Sequence, residues 1–260
     1  MNDRIILSMT TWPPRFSSAK VAMEHIIRQR KKTKLQERVH CVLVLSEEEA
    51  CDARYRQEAC DLIRKMEKLG VEVIYDQGNI RSHKKLIPTL EKYPDATVLV
   101  VDDDNIQQDG WLQIFIHDHD AHPGEIIYGQ GSRLISARDG RICEDTDHFF
   151  MLTHPYGQIT DNVVPASGAA GTLYPSGTFR DPRFFDRNLI MSLCPSDDET
   201  WQFVFAKLAG KKFRCLSSHN FPRTAGADQS VALYRENRNQ YAEIHNRIAA
   251  AIPEYIHTIK

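Results

Sequence analysis

The hydrophobic pattern of the first part of the chain switches repeatedly between continuous apolar runs and runs with helical spacing. Arg4-Ile5-Ile6-Leu7-Ser8-Met9-Thr10 reads as a buried strand followed by a Trp12-Pro13-Pro14 turn. Over residues 19–32, Val21, Met23, Ile26 and Ile27 fall on one side of an expected helix. Residues 39–45 are apolar almost without a break, as strands buried on both faces tend to be. Ser46, followed by Glu47, Glu48 and Glu49, supplies an N-cap and acids for the positive end of a helix expected to stop near Gly70. Residues 71–75 form a third strand, and Ser82 caps a helix expected to reach Tyr93. Residues 97–101 form a fourth strand that runs straight into Asp102, Asp103 and Asp104.

The second part is less regular. Residues 125–129 and the stretch around His148-Phe149-Phe150 read as strands of a mixed or antiparallel extension. Residues 168–177 (GAAGTLYPSG) read as a loop whose small residues let a ligand or backbone come close. A helix over residues 197–208 ends at Gly210, a strand follows over residues 212–216, and residues 237–251 are helical. Strand and helix in this rhythm predict an α/β fold with a mostly parallel central sheet, helices on its faces and a smaller mixed extension. Ligands of such sheets bind beyond the carboxyl ends of the strands, where the loop from Thr10 to Arg15, Asp76 and the three aspartates all fall.

Composition narrows the functions. With 260 residues, 42% of them hydrophobic, and no repeat or linker, the chain reads as one domain with a real core. A net charge of -2 and a pI near 6.6 argue against a nucleic-acid partner. No apolar stretch is long enough for a transmembrane segment, and residues 1–5 lack the features of a signal peptide. A cytoplasmic protein, at most peripheral to the inner membrane, is expected. The six cysteines form no Cys-x-x-Cys pair and read as reduced small hydrophobes, not as a zinc site or a disulfide framework.

The aspartate cluster carries the chemistry. Alternation along an extended chain would turn Asp102 and Asp104 to one side together. Carboxylates this close repel unless a cation lies among them, and hard oxygen ligands suit Mg²⁺ or Mn²⁺ bridging substrate phosphates. The plain alternative is a solvated acidic turn. His117, His119 and His122 read as the polar end of a helix anchored by Trp111 and Phe115, since helical neighbours two apart diverge.

Several segments in order resemble bacterial glycosyltransferases of the GT-A fold, of the family 2-like kind. They are Leu7-Ser8-Met9-Thr10-Thr11-Trp12-Pro13-Pro14-Arg15, Ser82-His83-Lys84-Lys85-Leu86-Ile87-Pro88-Thr89-Leu90 with Tyr93-Pro94-Asp95, Val100-Val101-Asp102-Asp103-Asp104, residues 165–175 (PASGAAGTLYP), and Asp197-Asp198-Glu199-Thr200-Trp201. The resemblance implies a nucleotide-binding half over about residues 1–105 and an acceptor-side half over about 106–260. It implies transfer of a sugar from a nucleotide-diphosphate donor, UDP-linked by preference, to a saccharide or glycolipid acceptor, with Mn²⁺ or Mg²⁺ as cofactor. Asp102 and Asp104 resemble the metal-holding pair, Asp104 the more direct ligand, and Asp103 lies nearer the donor's ribose or sugar. Thr10 and Arg15 would flank the nucleotide, and Asp76 would accept a hydrogen bond from a uracil ring or be an ordinary strand-end residue. Lys84 or Lys85 would hold the diphosphate as a point charge, the other being a solvated helix lysine.

For inverting transfer a carboxylate must take the acceptor's proton, and Asp197 and Asp198 are the candidates. Asp198 is preferred as base, with Asp197 as helix cap. Glu199 stands where relatives carry an apolar residue. His219 is the candidate third metal ligand, with a surface histidine as the alternative. A sugar nucleotidyltransferase would carry a glycine-rich first loop, which Thr10-Thr11-Trp12-Pro13-Pro14-Arg15 is not. A phosphatase or a dinucleotide oxidoreductase fits the motifs less well. A catalytically degenerate sugar-binding or scaffold protein stays open.

Overall fold

The first strand, β1 (Ile5–Thr10), is paired in parallel on both sides, with β2 (Val39–Ser46) and β4 (Thr97–Val101), and β2 pairs in parallel with β3 (Glu72–Asp76). A computed structural model describes residues 4–136, 142–145, 156–160, 163–218, 222–226 and 240–259. The strand near His148-Phe149-Phe150, the start of the C-terminal helix at residues 237–239 and His219 lie outside the described residues.

Beyond β4 the sheet becomes mixed. β11 (Thr172–Tyr174) lies antiparallel to β4, β6 (Ile126–Tyr128) antiparallel to β11, and β12 (Phe213–Cys215) parallel to β6, with β9 (Ile159–Thr160) at the edge. The order is β3-β2-β1-β4-β11-β6-β12-β9, and outside it β7 (Gly131–Ser136) pairs with β8 (Ile142–Asp145) and β10 (Val163–Pro165), and β5 (Asn105–Ile106) with β13 (Arg223–Thr224). The expected loop over residues 168–177 thus contains a central strand. At three residues, between Gly171 and Pro175, β11 is too short to register in the hydrophobic period.

Two cores form on the two faces, because successive strand residues point to opposite sides. Ile5, Leu7 and Met9 of β1 and Leu99 and Val101 of β4 pack against α1 (Phe16–Lys32), α3 (Arg56–Leu69) and α5 (Trp111–Ala121). Ile6 of β1 and Val98 and Val100 of β4 pack against α4 (Ile87–Lys92), α6 (Arg187–Leu193), α7 (Asp198–Leu208) and α8 (Tyr241–Ala251). Cys41, Cys194 and Cys215 are free and buried.

Three expectations need correction. The helix opened by Ser46 ends early: α2 (Glu47–Cys51) has a capping box between Ser46 and Glu49, and α3 then starts afresh and stops at Gly70 in the left-handed conformation, φ 71°. Val21 faces outward at 43% exposed, and Ala19 and Ala22 take its place in the core. The helix expected from Ser82 to Tyr93 is a 3₁₀ turn over Arg81–Lys85, then α4, and Ser82 caps neither. Leu86, at φ -121°, separates the two. This break matters for function. Three residues per 3₁₀ turn spread successive side chains about 120° apart, so His83, Lys84 and Lys85 all bury but reach different partners.

At the sheet edge, Glu72 of β3 accepts from Lys92 and Tyr93 at the end of α4 and pairs with His40 of β2. Partial burial raises its carboxyl pKa, but the Lys92, Tyr93 and His40 hydrogen bonds more than offset this and hold it at about 2. A depressed carboxyl pKa stabilises the fold above the unfolded value of 4.5 and loses that contribution as the pH falls toward 2. Glu72→Gln is therefore expected to lower stability at pH 7 by about 1 kcal/mol after solvent screening. Urea melts of the two proteins should converge as the pH drops from 4.5 toward 2.

Candidate functional site

β4 delivers the aspartates to the carboxyl edge of the sheet, and there the chain turns instead of staying extended. Asp102 and Asp104 do not face the same partner, as alternation would have it. Asp103 and Asp104 share Arg15, whose Nη1 lies 3.1 Å from Asp103 and 3.0 Å from Asp104. Asp103 also accepts from Thr11 Oγ1 at 2.6 Å. Asp102 has a different partner, Lys85, whose Nζ donates to it at 2.8 Å, although Asp104 stays near enough to act on its charge.

The same Lys85 ammonium stands 3.2 Å from Asp198, at the first turn of α7. One buried cation thus joins the aspartate cluster to the candidate base, residues 96 apart from each other in sequence (198 − 102). Asp198 accepts further from Gln202 Nε2 at 2.9 Å, and Gln202 Oε1 is fixed by the Tyr174 hydroxyl at 2.7 Å. Asp197 is the helix cap, taking Thr200 N at 3.1 Å and the Thr200 hydroxyl at 2.5 Å. The N-cap bonds hold Asp197 against the helix end, while Asp198 meets Lys85.

The residues around these carboxylates explain their charge. Burial works against ionised Asp198, but Lys85 and His83 more than offset it and hold the pKa below the ordinary value of 3.8. Asp102 is pushed up, first by burial and then by Asp104 and Asp198, against the pull of Lys85. Burial pushes Asp103 up to about 7 in spite of Arg15 and Thr11. Glu199 is pushed well above its usual range by burial and by Asp198, Asp197 and Asp102. Five carboxylates (Asp102, Asp103, Asp104, Asp198 and Glu199) therefore meet two cations, Arg15 and Lys85, among the described residues. Arg15 Nε is buried with no hydrogen-bond partner among them.

Backbone approach completes the site. Asp102 N donates to Gly168 O at 3.0 Å, and a Cβ on Gly168 would fall 1.6 Å from Asp102 Oδ1. The small residues expected to admit a ligand or a backbone admit, at Gly168, the Asp102 carboxylate itself. Gln107 and the Trp111 indole fix the turn that follows by donating to the carbonyls of Ala169 and Ala170.

The remaining expected residues lie beside this network. Thr10 ends β1 and donates its hydroxyl to Val44 O at 2.8 Å. Asp76 ends β3, is buried, and pairs with Arg187 of α6 at 2.7 Å, which also reaches Glu91. Lys84 is buried and held by Glu49 of α2, so neither lysine is the solvated one expected of the pair. Of the histidines in α5, His117 is exposed but His119 is buried, which corrects its reading as part of a polar helix end. Thr11, Glu199 and Arg187 were missed by the sequence reading. Thr11 and Glu199 each adjoin a motif residue, which was the available signal; Arg187 joins Asp76 only through the fold.

No family model and no curated protein sequence matches the chain. The fold does match solved structures of S. aureus TarS, a GT-A-type glycosyltransferase. The structure of TarS residues 1–349 matches with a TM-score of 0.54 at 15% identity, over 84% of this chain and 59% of that one. The same fragment in complex with UDP gives 0.53 at 14% identity, with the same coverage. In complex with UDP-GlcNAc it gives 0.54 at 16%, over 95% of this chain and 66% of that one. This chain thus spans about three-fifths of the TarS fragment it resembles.

Two substitutions test the geometry. Gly168→Ala forces Asp102 off Lys85 and is expected to destabilise the protein by about 1–3 kcal/mol in urea unfolding, the range for overpacking a filled site. Lys85→Met leaves the half-buried Asp102 and the buried Asp198 without their shared cation and is expected to cost about 3–5 kcal/mol, while Lys212→Met on the surface costs nothing measurable. The eight-stranded α/β sheet flanked by helices on both faces is, by its likeness to these structures, a GT-A-like fold.

Proposed function

We propose that the protein is a glycosyltransferase that takes a sugar from a nucleotide-diphosphate donor, UDP-linked by preference, and passes it to a saccharide or glycolipid acceptor hydroxyl with inversion. The observation that carries this reading is the Lys85 bridge. It ties a strand-end aspartate cluster, suited to a diphosphate and its cation, to a buried carboxylate suited to taking a proton. The GT-A-like fold supports it, as do the UDP and UDP-GlcNAc bound by TarS structures of that fold.

The site fits a divalent cation on its charge balance, since its carboxylates outnumber its cations and Asp102 is pushed up by burial and then by the neighbouring Asp104 and Asp198. Among the described residues no three His, Cys, Asp or Glu side chains are grouped to enclose an ion. Asp102 and Asp104 would therefore hold Mn²⁺ or Mg²⁺ jointly with donor phosphate and water, the usual manner of these ions at phosphate sites. His219, outside the described residues, remains a proposed third ligand. When bound, the cation offsets the charge that develops on the diphosphate leaving group.

The chain's own residues supply the rest. Arg15 orients Asp103 and Asp104 and brings positive charge to the donor side of the sheet edge. Lys85, kept protonated by Asp102 and Asp198 against burial, holds Asp198 ionised and fixed. Asp198 can then take the acceptor hydroxyl's proton as that oxygen attacks the anomeric carbon, while Asp197 keeps the α7 start in place. Thr10, Asp76 and Lys84 line the adjoining strand ends, and reading of the base by Asp76 requires it to share or exchange its Arg187 partner. No helix among the described residues is long and apolar enough to cross a membrane.

Calorimetric titration with UDP, GDP and CDP, with and without Mn²⁺, tests the donor half. UDP is expected to bind only with the metal and to lose this binding in Asp104→Ala. Asp198→Asn should bind UDP like wild type and transfer sugar about 10²–10⁴-fold more slowly, the usual contribution of a positioned base. Absence of nucleotide binding under every metal condition would favour a sugar-binding or scaffold protein that kept the fold.

A further inference from the structure

At the other end of the sheet the charges are arranged differently. β11 runs antiparallel to β4, with Tyr174 opposite Val98, and Ser176 N donates to Thr97 Oγ1 at 3.3 Å. The segment after β11 therefore lies at the amino end of β4, about 16 Å from the aspartates for a five-residue strand. There a hollow of about 490 Å³ is lined by Arg180, Lys211, Thr178, Phe179, Phe205 and Leu208. A second, of about 480 Å³, shares Lys211 with it and adds Lys212 and His122.

Elsewhere most partly buried arginines meet an acceptor: Arg15 pairs with Asp103, Arg38 with Asp120, Arg187 with Asp76 and Arg214 with Glu125, while Arg30 and Arg247 donate to the carbonyls of Val39 and Leu193. Arg180, which is exposed, and Lys211, which is half-buried, both line the hollow, and neither has a carboxylate partner among the described residues. The one acid beside them in sequence, Asp181, turns away to Arg183, which also takes Glu254. Lys211 is correspondingly held below its ordinary pKa, by burial and then by Arg180. Arg180 is laid against the Gly177 backbone, where a Cβ would come within 2.9 Å of its Nη2. Like charges side by side repel unless an anion joins them, and planar guanidinium beside ammonium suits an oxyanion. Phe179, Phe205 and Leu208 supply an apolar part of the lining, and the volume of the hollow is in the range of small-molecule sites.

We propose that this hollow binds a small molecule bearing a phosphate or carboxylate group, with the oxyanion between Arg180 and Lys211 and the organic body on Phe179, Phe205 and Leu208. The proposal is independent of the activity assigned to the aspartate edge.

Phenyl phosphate, benzoate and uncharged benzyl alcohol, titrated with EDTA present, separate the two anion chemistries from simple apolar filling. At least one of the two anions is expected to bind and to raise the melting temperature, with benzyl alcohol doing neither. Whichever of phenyl phosphate and benzoate binds more tightly identifies the group. Binding should weaken at least tenfold in Arg180→Ser with Lys211→Ser, and be unchanged in Asp104→Ala. The double variant without ligand should unfold no earlier than wild type, since a repulsion is relieved; the single variants serve if it does. The proposal is overturned if neither anion binds, if benzyl alcohol binds as well as the anions, or if the anion's affinity survives the double substitution or vanishes in Asp104→Ala.

Discussion

A lysine ammonium taken out of water loses several kcal/mol of hydration, and it stays charged in a protein interior only if carboxylates surround it. Lys85 meets that condition with Asp102 on one side and Asp198 on the other. Much of the architecture serves to bring those three groups together. The 3₁₀ turn over Arg81–Lys85 aims Lys85 inward. Ser8 of β1 meets Thr89 of α4 through their hydroxyls, tethering the segment to the sheet. His83 Nε2 bonds Cys194 O, and the Cys194 thiol donates to Asp197 O, which sets the start of α7. Gly168 leaves the space that the Asp102 carboxylate fills. Removing any of these loosens the same node.

The node also settles how charge is distributed. At the β4 terminus Arg15 pairs with Asp103 and Asp104 and Lys85 with Asp102, yet acids remain in excess. Buried and half-buried carboxylates in excess are pushed toward their protonated forms, as Asp103, Asp102 and Glu199 are, unless a further cation arrives. Asp198 is the exception, because Lys85 and His83 act on it together. A set of neighbouring acids whose pKa values are driven apart is a common mark of acid–base sites. At the opposite end of the sheet the imbalance is reversed, with Arg180 and Lys211 left together, so the two ends present opposite charge to ligands.

The four parallel strands were legible because buried strands are continuous apolar runs, and their carboxyl ends located Thr10, Asp76 and Asp102 without further information. Asp197 as a cap was legible for the same local reason that Ser46 was. What the pattern could not supply were facts that depend on distant segments. β11 has three residues and declares itself only by pairing with β4 and β6. Lys84 and Lys85 look like adjacent exposed lysines until the 3₁₀ turn sends one to Glu49 and the other to Asp102. Alternation put Asp102 and Asp104 together, but the turn after β4 gave Asp103 and Asp104 to Arg15. Arg187 on Asp76 is a long-range pair with no local trace.

Crystals grown with UDP and Mn²⁺ and measured at the manganese absorption edge test the central claim, that the carboxyl edge of β4 is a donor site joined to its base through Lys85. The account predicts one anomalous peak bonded to Asp102 or Asp104 and to the diphosphate, with Lys85 still beside Asp198. UDP bound away from that edge, or bound there with no manganese at either aspartate, would contradict it.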